Sequence, residues 1–171
     1  LRSIHSNLLT RKLLSVLGKL WTSPNSALGL LLGMLATPFG ARVRCGDNAI
    51  QFYRFPLGPG GALVLGNVIL LTGDSLDLRV RTYRARARGA RRVWVRLGDH
   101  ERAHTYQYEV LGPFFLPAYV LLGCLRGAII AASNPFEAAA DRYALTHRGW
   151  WPDWRSSTRP RRMQNGKGVQ R

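Results

Sequence analysis

The chain has 171 residues, 46% of them apolar, which is enough for one buried core and too short for two ordinary domains. Its 25 Lys and Arg against 9 Asp and Glu give a net charge of +16, which predicts attraction to an anionic partner, either phospholipid head groups or nucleic acid. The two cysteines, Cys45 and Cys124, exclude a disulfide scaffold, lie far outside C-x-x-C spacing and read as buried free thiols.

Among the basic residues only Lys12, Lys19 and Lys167 are lysine, an imbalance that arginine-rich coding also produces without any binding surface. The chain opens on Leu1, compatible with a processed or trimmed start. Within "NLLTRKLLSVLGKLW", Leu9, Leu13, Val16, Leu17 and Leu20 recur at helical spacing, with Arg11, Lys12 and Lys19 mostly elsewhere. This predicts an amphipathic helix that lies on a membrane or packs on the domain. From Leu20 to Ala41 the chain carries no charge, a length able to span a bilayer. Pro24, Asn25 and Pro38 shorten the strongly apolar part to Ala27–Ala36, which also fits a core, interfacial or re-entrant helix. Gly29 and Gly33 form G-x-x-x-G, a spacing that permits close helix packing.

After Gly40 the pattern shortens to strands. "ARVRC" and "AIQFYRF", separated by Gly46, Asp47 and Asn48, predict a hairpin, and "ALVLGNVILLT" and "LDLRVR" continue it as a small antiparallel meander. "GPGGALVLG" lacks the spacing of a nucleotide-phosphate loop. Eight arginines between Arg79 and Arg96 suit a lipid-head-group or RNA patch, or one solvated face of an element.

The next segment carries the chemistry. His100-Glu101-Arg102-Ala103-His104 spells H-E-x-x-H. On a helix, histidines at i and i+4 share one face, so both imidazoles reach one metal ion with the glutamate at its flank. "LGDHERAHTYQYEVLGP" predicts that helix from Asp99 to Leu111, with Asp99 favouring its start and Gly112-Pro113 closing it. A third ligand is expected in "SNPFEAAADRYALTH", where Asn134 and Pro135 start a helix that puts Glu137 on its first turn and Asp141 one turn later on the same face. Glu137 would complete a His2Glu site and Asp141 would orient a ligand imidazole. The spacing Asn134-x-x-Glu137 also fits a capping box.

"GPFFLPAYVLLGCLRGAIIAA", with Arg126 as its one charge, is either a buried helix joining the two ligand helices or a membrane-contacting one. Trp150, Trp151 and Trp154 beside Arg148 and Arg155 suit a lipid interface or the core, and residues 155–171 read as a basic disordered tail.

"HERAHTYQYEVLGPFFLPAYV" together with "NPFEAAAD" resembles the gluzincin branch of zinc metallopeptidases. More narrowly it resembles a family of small, uncharacterised bacterial proteins carrying the same pentad, a Gln-Tyr-Glu, a Gly-Pro-Phe-Phe-x-Pro-Ala-Tyr stretch and an Asn-Pro-Phe-Glu. The resemblance covers Trp21 to Tyr143 and is strongest from Asp99 to Asp141. It implies a zincin-like, membrane-associated fold with His100, His104 and Glu137 as zinc ligands and Glu101 as base, and it supplies no substrate. Where that family carries a histidine this chain has Asn67, which implies an altered supporting contact.

The expected architecture is α+β and zincin-like: apolar and amphipathic helices in residues 1–40, the meander and ligand helices in 41–154, and the tail in 155–171. The expected activity is zinc-dependent hydrolysis of a peptide or membrane-protein substrate at an anionic bacterial membrane, with Glu101 as general base. A transition-state donor is also required; Tyr143 and His147 follow Glu137 but project away from its face. Two rivals stand: a catalytically silent membrane adaptor with a structural zinc, and a basic nucleic-acid-binding module with an accidental pentad. Five tryptophans and the lack of a nucleic-acid motif weigh against the second.

Overall fold

The structure is a computed structural model that describes residues 2–57, 60–83, 93–127 and 133–153. The central arginine run 84–92, the apolar residues 128–132, Trp154, the tail, and the side chains of residues 2–9 and of Arg11 lie outside the described residues.

The fold is α+β. Strands β1 (Arg42–Gly46) and β2 (Ala49–Tyr53) pair antiparallel across Asp47 and Asn48, both left-handed at φ 49° and 63°. A two-residue turn of that hand matches the twist of its strands, and Asp and Asn tolerate it better than most side chains. The run "ALVLGNVILL" holds a second hairpin, β3 (Ala62–Leu65) and β4 (Val68–Leu71), reversing at Gly66-Asn67. Glycine is needed at 66 on two counts: its φ is +62°, and an added Cβ would lie 2.2 Å from Ser26 Oγ.

These strands do not form the expected antiparallel meander. Their order is β1-β2-β4-β3, with β2 and β4 parallel through Ile50↔Val68 and Phe52↔Leu70. A strand covered on both faces must be apolar on both, and Val68–Leu71 is buried at all four positions. β3, with Leu63 48% exposed, takes the edge instead. A separate pair, β5 (Arg79–Arg81) and β6 (Trp94–Arg96), is antiparallel, with the Arg81 guanidinium 5.6 Å from the centre of the Trp94 ring.

Among the described residues five α-helices complete the fold: α1 (Arg2–Trp21), α2 (Ser23–Ala36), α3 (Leu97–Leu111), α4 (Phe115–Leu125) and α5 (Pro135–Thr146). α2 covers one face of the larger sheet, with Gly29 against Val68 and Gly33 against Phe52, so the G-x-x-x-G pair serves a helix-on-sheet contact. On the other face Tyr53, Ile69 and Leu71 pack with Leu97, Tyr108, Phe115 and Phe136. The helical run Leu97–Leu125 is long and apolar enough to cross a membrane by length and composition.

Both cysteines are exposed, contrary to the sequence expectation. Cys45 lies on the exposed edge strand β1, and Cys124 on the outward face of α4.

A Cβ at Gly33 would sit 2.3 Å from the Phe52 ring. Gly33→Ala should therefore lower stability by about 1–3 kcal/mol, the usual range for overpacking, in urea unfolding followed by circular dichroism. Leu31→Ala, at a position 57% exposed, should be close to neutral. Equal midpoints for the two variants would show that α2 is not seated on the sheet in this way.

Candidate metal centre

α3 begins two residues before Asp99. The Leu97 and Gly98 amides donate to Leu78 O (2.9 Å) and Leu76 O (2.8 Å), so main chain from a neighbouring segment satisfies helix donors that a side-chain cap would otherwise serve. Asp99 accepts from Arg96 at 3.4 Å rather than capping. Arg96 and Arg102 both donate to Asp47 in the β1–β2 turn. Burial would raise the Asp47 pKa, but these two guanidinium groups hold it below the ordinary carboxylate value. Toward the other end of α3, Asn48 and Asn67 donate to Glu109 Oε1 at 2.8 and 3.1 Å. Both hairpin turns are thus fastened to the helix that carries the histidines.

α5 starts as its sequence implies, with Asn134 Oδ1 accepting from the Phe136 amide at 3.1 Å and Pro135 in the first turn. The Glu137 carboxylate does not turn back as in a capping box; it faces α3. Its Oε2 lies 3.0 Å from His100 Nε2, its Oε1 lies 3.6 Å from His104 Nε2, and Oε1 also accepts from the Tyr119 hydroxyl. The two histidine Nε2 atoms are 3.3 Å apart. His100, His104 and Glu137 are each at least nine-tenths buried.

The remaining ring nitrogens define what the inward ones offer. Gln107 donates its amide N–H groups to Phe136 O (3.2 Å) and Trp150 O (2.8 Å), so its oxygen is the atom facing His104 Nδ1 at 2.8 Å. His104 therefore carries its proton on Nδ1, and its Nε2 lone pair points inward. His100 Nδ1 lies 3.2 Å from Asp141 Oδ1, within ion-pair reach without the alignment of a hydrogen bond. Asp141 Oδ2 accepts from the Tyr83 amide at 2.8 Å, which fixes the carboxylate. Two imidazole nitrogens and a carboxylate thus converge on one point in a buried space. Among the described residues these three side chains form a group that could hold one metal ion, with ligand atoms all within 4.8 Å of one another.

The same contacts shift the proton affinities of the four groups. Burial opposes charging His100, but the contacts with Asp141 and Glu137 outweigh it and push its pKa up to about 10. His104 is raised as well, against burial, mainly by the Glu137 charge. Burial would raise Glu137, yet the two histidines hold it well below the usual carboxylate range. Glu101 is raised by burial, with the histidines working against that shift.

Glu101 shares with the cluster a cavity of about 130 Å³, whose wall also includes Ala62, Val64, Tyr83, Leu116 and Tyr119. Tyr143 and His147 are not on that wall. The Tyr143 ring packs 5.7 Å from Tyr106 beside Ala103 and Ala140, and His147 is an exposed, left-handed residue ending α5. The tyrosines on the cavity wall are instead Tyr83, Tyr108 and Tyr119, none of which the sequence singled out. Tyr119 had a signal, a phenol hydroxyl in an otherwise apolar helix, which needs a partner when buried. Tyr83 sits among arginines and had none.

No protein family, curated protein or solved structure matches this chain, so its functional reading rests on the geometry.

These shifts make stability depend on pH when no metal is bound. The stabilisation from His100 is complete below its ordinary value of 6.5 and is lost as pH rises through about 10. That from Glu137 is present above its ordinary 4.5 and is lost as pH falls below it. With chelator present, the thermal midpoint should peak between pH 4.5 and 6.5 and decline toward pH 10. A profile that is flat or rising from pH 6.5 to 10 would contradict the arrangement.

Proposed function

We propose that the chain is a zinc-dependent, zincin-like hydrolase that cleaves peptide bonds at a membrane surface. The observation that carries the reading is the inward convergence of His100 Nε2, His104 Nε2 and the Glu137 carboxylate. Zinc–nitrogen and zinc–oxygen bonds of 2.0–2.1 Å in a tetrahedron set ligand atoms about 3.3–3.4 Å apart. The two Nε2 atoms here are 3.3 Å apart, and each faces a different oxygen of the Glu137 carboxylate, His100 at 3.0 Å from Oε2 and His104 at 3.6 Å from Oε1, all close to that value. Nitrogen and oxygen donors without sulfur suit zinc in a site that keeps a fourth position open.

The edge strand supports a polypeptide as the substrate class. The Thr72 amide donates to Gly61 O, which sets the phase of the β3–β4 ladder: Leu63↔Leu70 and Leu65↔Val68 exchange main-chain bonds. Ala62 and Val64 then turn their N–H and C=O groups to the open edge, and both line the cavity. An extended polypeptide adding to β3 would satisfy those groups and run past the cluster.

Zinc held by the three side chains supplies a Lewis acid and makes water nucleophilic near neutral pH. Glu101, in the same cavity, would serve as the base that takes a proton from water and passes it to the departing amine. Its burial raises its pKa, which makes it a stronger base than an exposed carboxylate. Tyr119 holds Glu137 through its hydroxyl, and Tyr83, whose ring stands 5.7 Å from His100, is assigned the donor to the developing oxyanion.

Deep burial of the cluster also suits a purely structural zinc in a catalytically silent membrane adaptor. One substitution separates the two. Glu101→Gln should keep one equivalent of zinc and lower hydrolysis of a broad peptide and membrane-protein panel by about 10²–10⁴-fold. Wild type and variant equally inactive on that panel would favour the adaptor.

The ligand assignment has its own test in chelator competition. Glu137→Gln should weaken zinc binding more than Asp141→Asn, whose loss of an orienting contact is expected to cost about 10–100-fold. Unchanged affinity in Glu137→Gln would remove it from the ligand set.

A further inference from the structure

We infer that α1, α2 and α4 lie in the plane of one leaflet of an anionic bilayer without crossing it. This rests on the membrane-surface reading above and states how the chain meets the lipid.

The apolar surface is concentrated on these helices. On α4, Leu116, Val120, Leu121, Cys124 and Leu125 follow one another at helical spacing and are all exposed. On α1, Leu13, Leu17, Leu20 and Trp21 are exposed, and on α2 so are Leu28, Leu31 and Leu35. The three meet at one corner: Trp21 lies 6.1 Å from Phe114 and donates to Val110 O at 3.3 Å, while Asn25 donates to Gly112 O at 3.1 Å. Past the end of α2, an open hollow of about 370 Å³ walled by Leu32, Leu35, Phe39, Phe55 and Leu57 extends the apolar surface. Soluble monomers rarely leave contiguous apolar surface of this extent uncovered.

Charge identifies the cover. Residues 1–46 and 110–136 contain no Asp or Glu, and their charges, among them Lys12, Lys19, Arg42, Arg44 and Arg126, are all basic. A second copy would bring the same positive charge to the contact, whereas anionic head groups complement it.

Helix length excludes crossing. At 1.5 Å per residue α2 reaches about 21 Å and α4 about 17 Å, against a hydrocarbon core of about 30 Å. α1 is long enough but carries Lys12 in mid-length and Lys19 near its end. The composite run Leu97–Leu125 is interrupted by a 3-10 turn at Gly112–Phe114. Its first half holds buried Asp99, His100, Glu101 and His104 and is fastened through Glu109 to both hairpin turns. Drawing α3 into lipid would tear it from the sheet, so the in-plane arrangement remains, with apolar faces about 5–10 Å deep.

One consequence concerns the substrate. Leu116 belongs both to the lipid-facing row of α4 and to the wall of the metal cavity. The cavity therefore opens beside the head groups, where the extended polypeptide offered to β3 would be a juxtamembrane segment.

The exposed cysteines supply the probe. Full-length Cys45→Ser protein would be labelled at Cys124 with a nitrobenzoxadiazole fluorophore and mixed with phosphatidylglycerol-containing vesicles. Flotation with the vesicles tests the membrane-surface reading itself. The in-plane arrangement predicts a blue-shifted emission, quenched more by lipid nitroxides near the head group than by those near the chain end. Flotation without quenching, or strongest quenching from the chain end, would overturn it while leaving the membrane reading intact. Absence of flotation, or a stable lipid-free dimer that shields the label, would overturn both.

Discussion

Two imidazole lone pairs and a carboxylate facing one another inside a protein core call for a cation between them. In a low-dielectric interior their mutual repulsion and lost hydration are large, and protons or a metal ion must offset both. His100, His104 and Glu137 stand in that relation, and much of the surrounding structure keeps them there. Gln107, its amide donors committed to Phe136 O and Trp150 O, fixes the tautomer of His104. Asp141, clamped by the Tyr83 amide, faces the outer nitrogen of His100. Tyr119 brings α4 into the same set through Glu137.

The rest of the fold positions α3. One of its faces presents the histidines to α5; along its length Arg102, Thr105 and Glu109 grip the turns of the two hairpins through Asp47, Asn48 and Asn67. Asn67 is therefore part of the fastening between β-turn and helix rather than of the cavity wall. The same fastening leaves β3 at the sheet edge beside the cluster, which is why the proposed substrate is an extended chain rather than a small molecule.

What the sequence revealed was mostly local. The i, i+4 histidines, the Asn134-Pro135 start of α5 and the place of Glu137 on its first turn depend on helix geometry within a few residues, so the sequence alone carries them. What it hid was non-local. The parallel pairing of β2 with β4 depends on which strand is covered on both sides, a property of the whole sheet. The early start of α3 depends on carbonyls of residues 76 and 78. Tyr83 and Tyr119 reach the cavity from segments separated by 36 positions, and no spacing rule joins them to the pentad. The exposed cysteines followed from an edge strand and a solvent-facing helix row that composition alone does not distinguish from core.

The central claim is that one zinc ion sits between His100, His104 and Glu137. X-ray absorption at the zinc edge, on protein loaded with one equivalent, addresses it directly. The account predicts a first shell of nitrogen and oxygen only, at about 2.0–2.1 Å, with the multiple-scattering signature of two imidazoles. A sulfur scatterer at about 2.3 Å would place the metal on the exposed cysteines instead, and contradict the account.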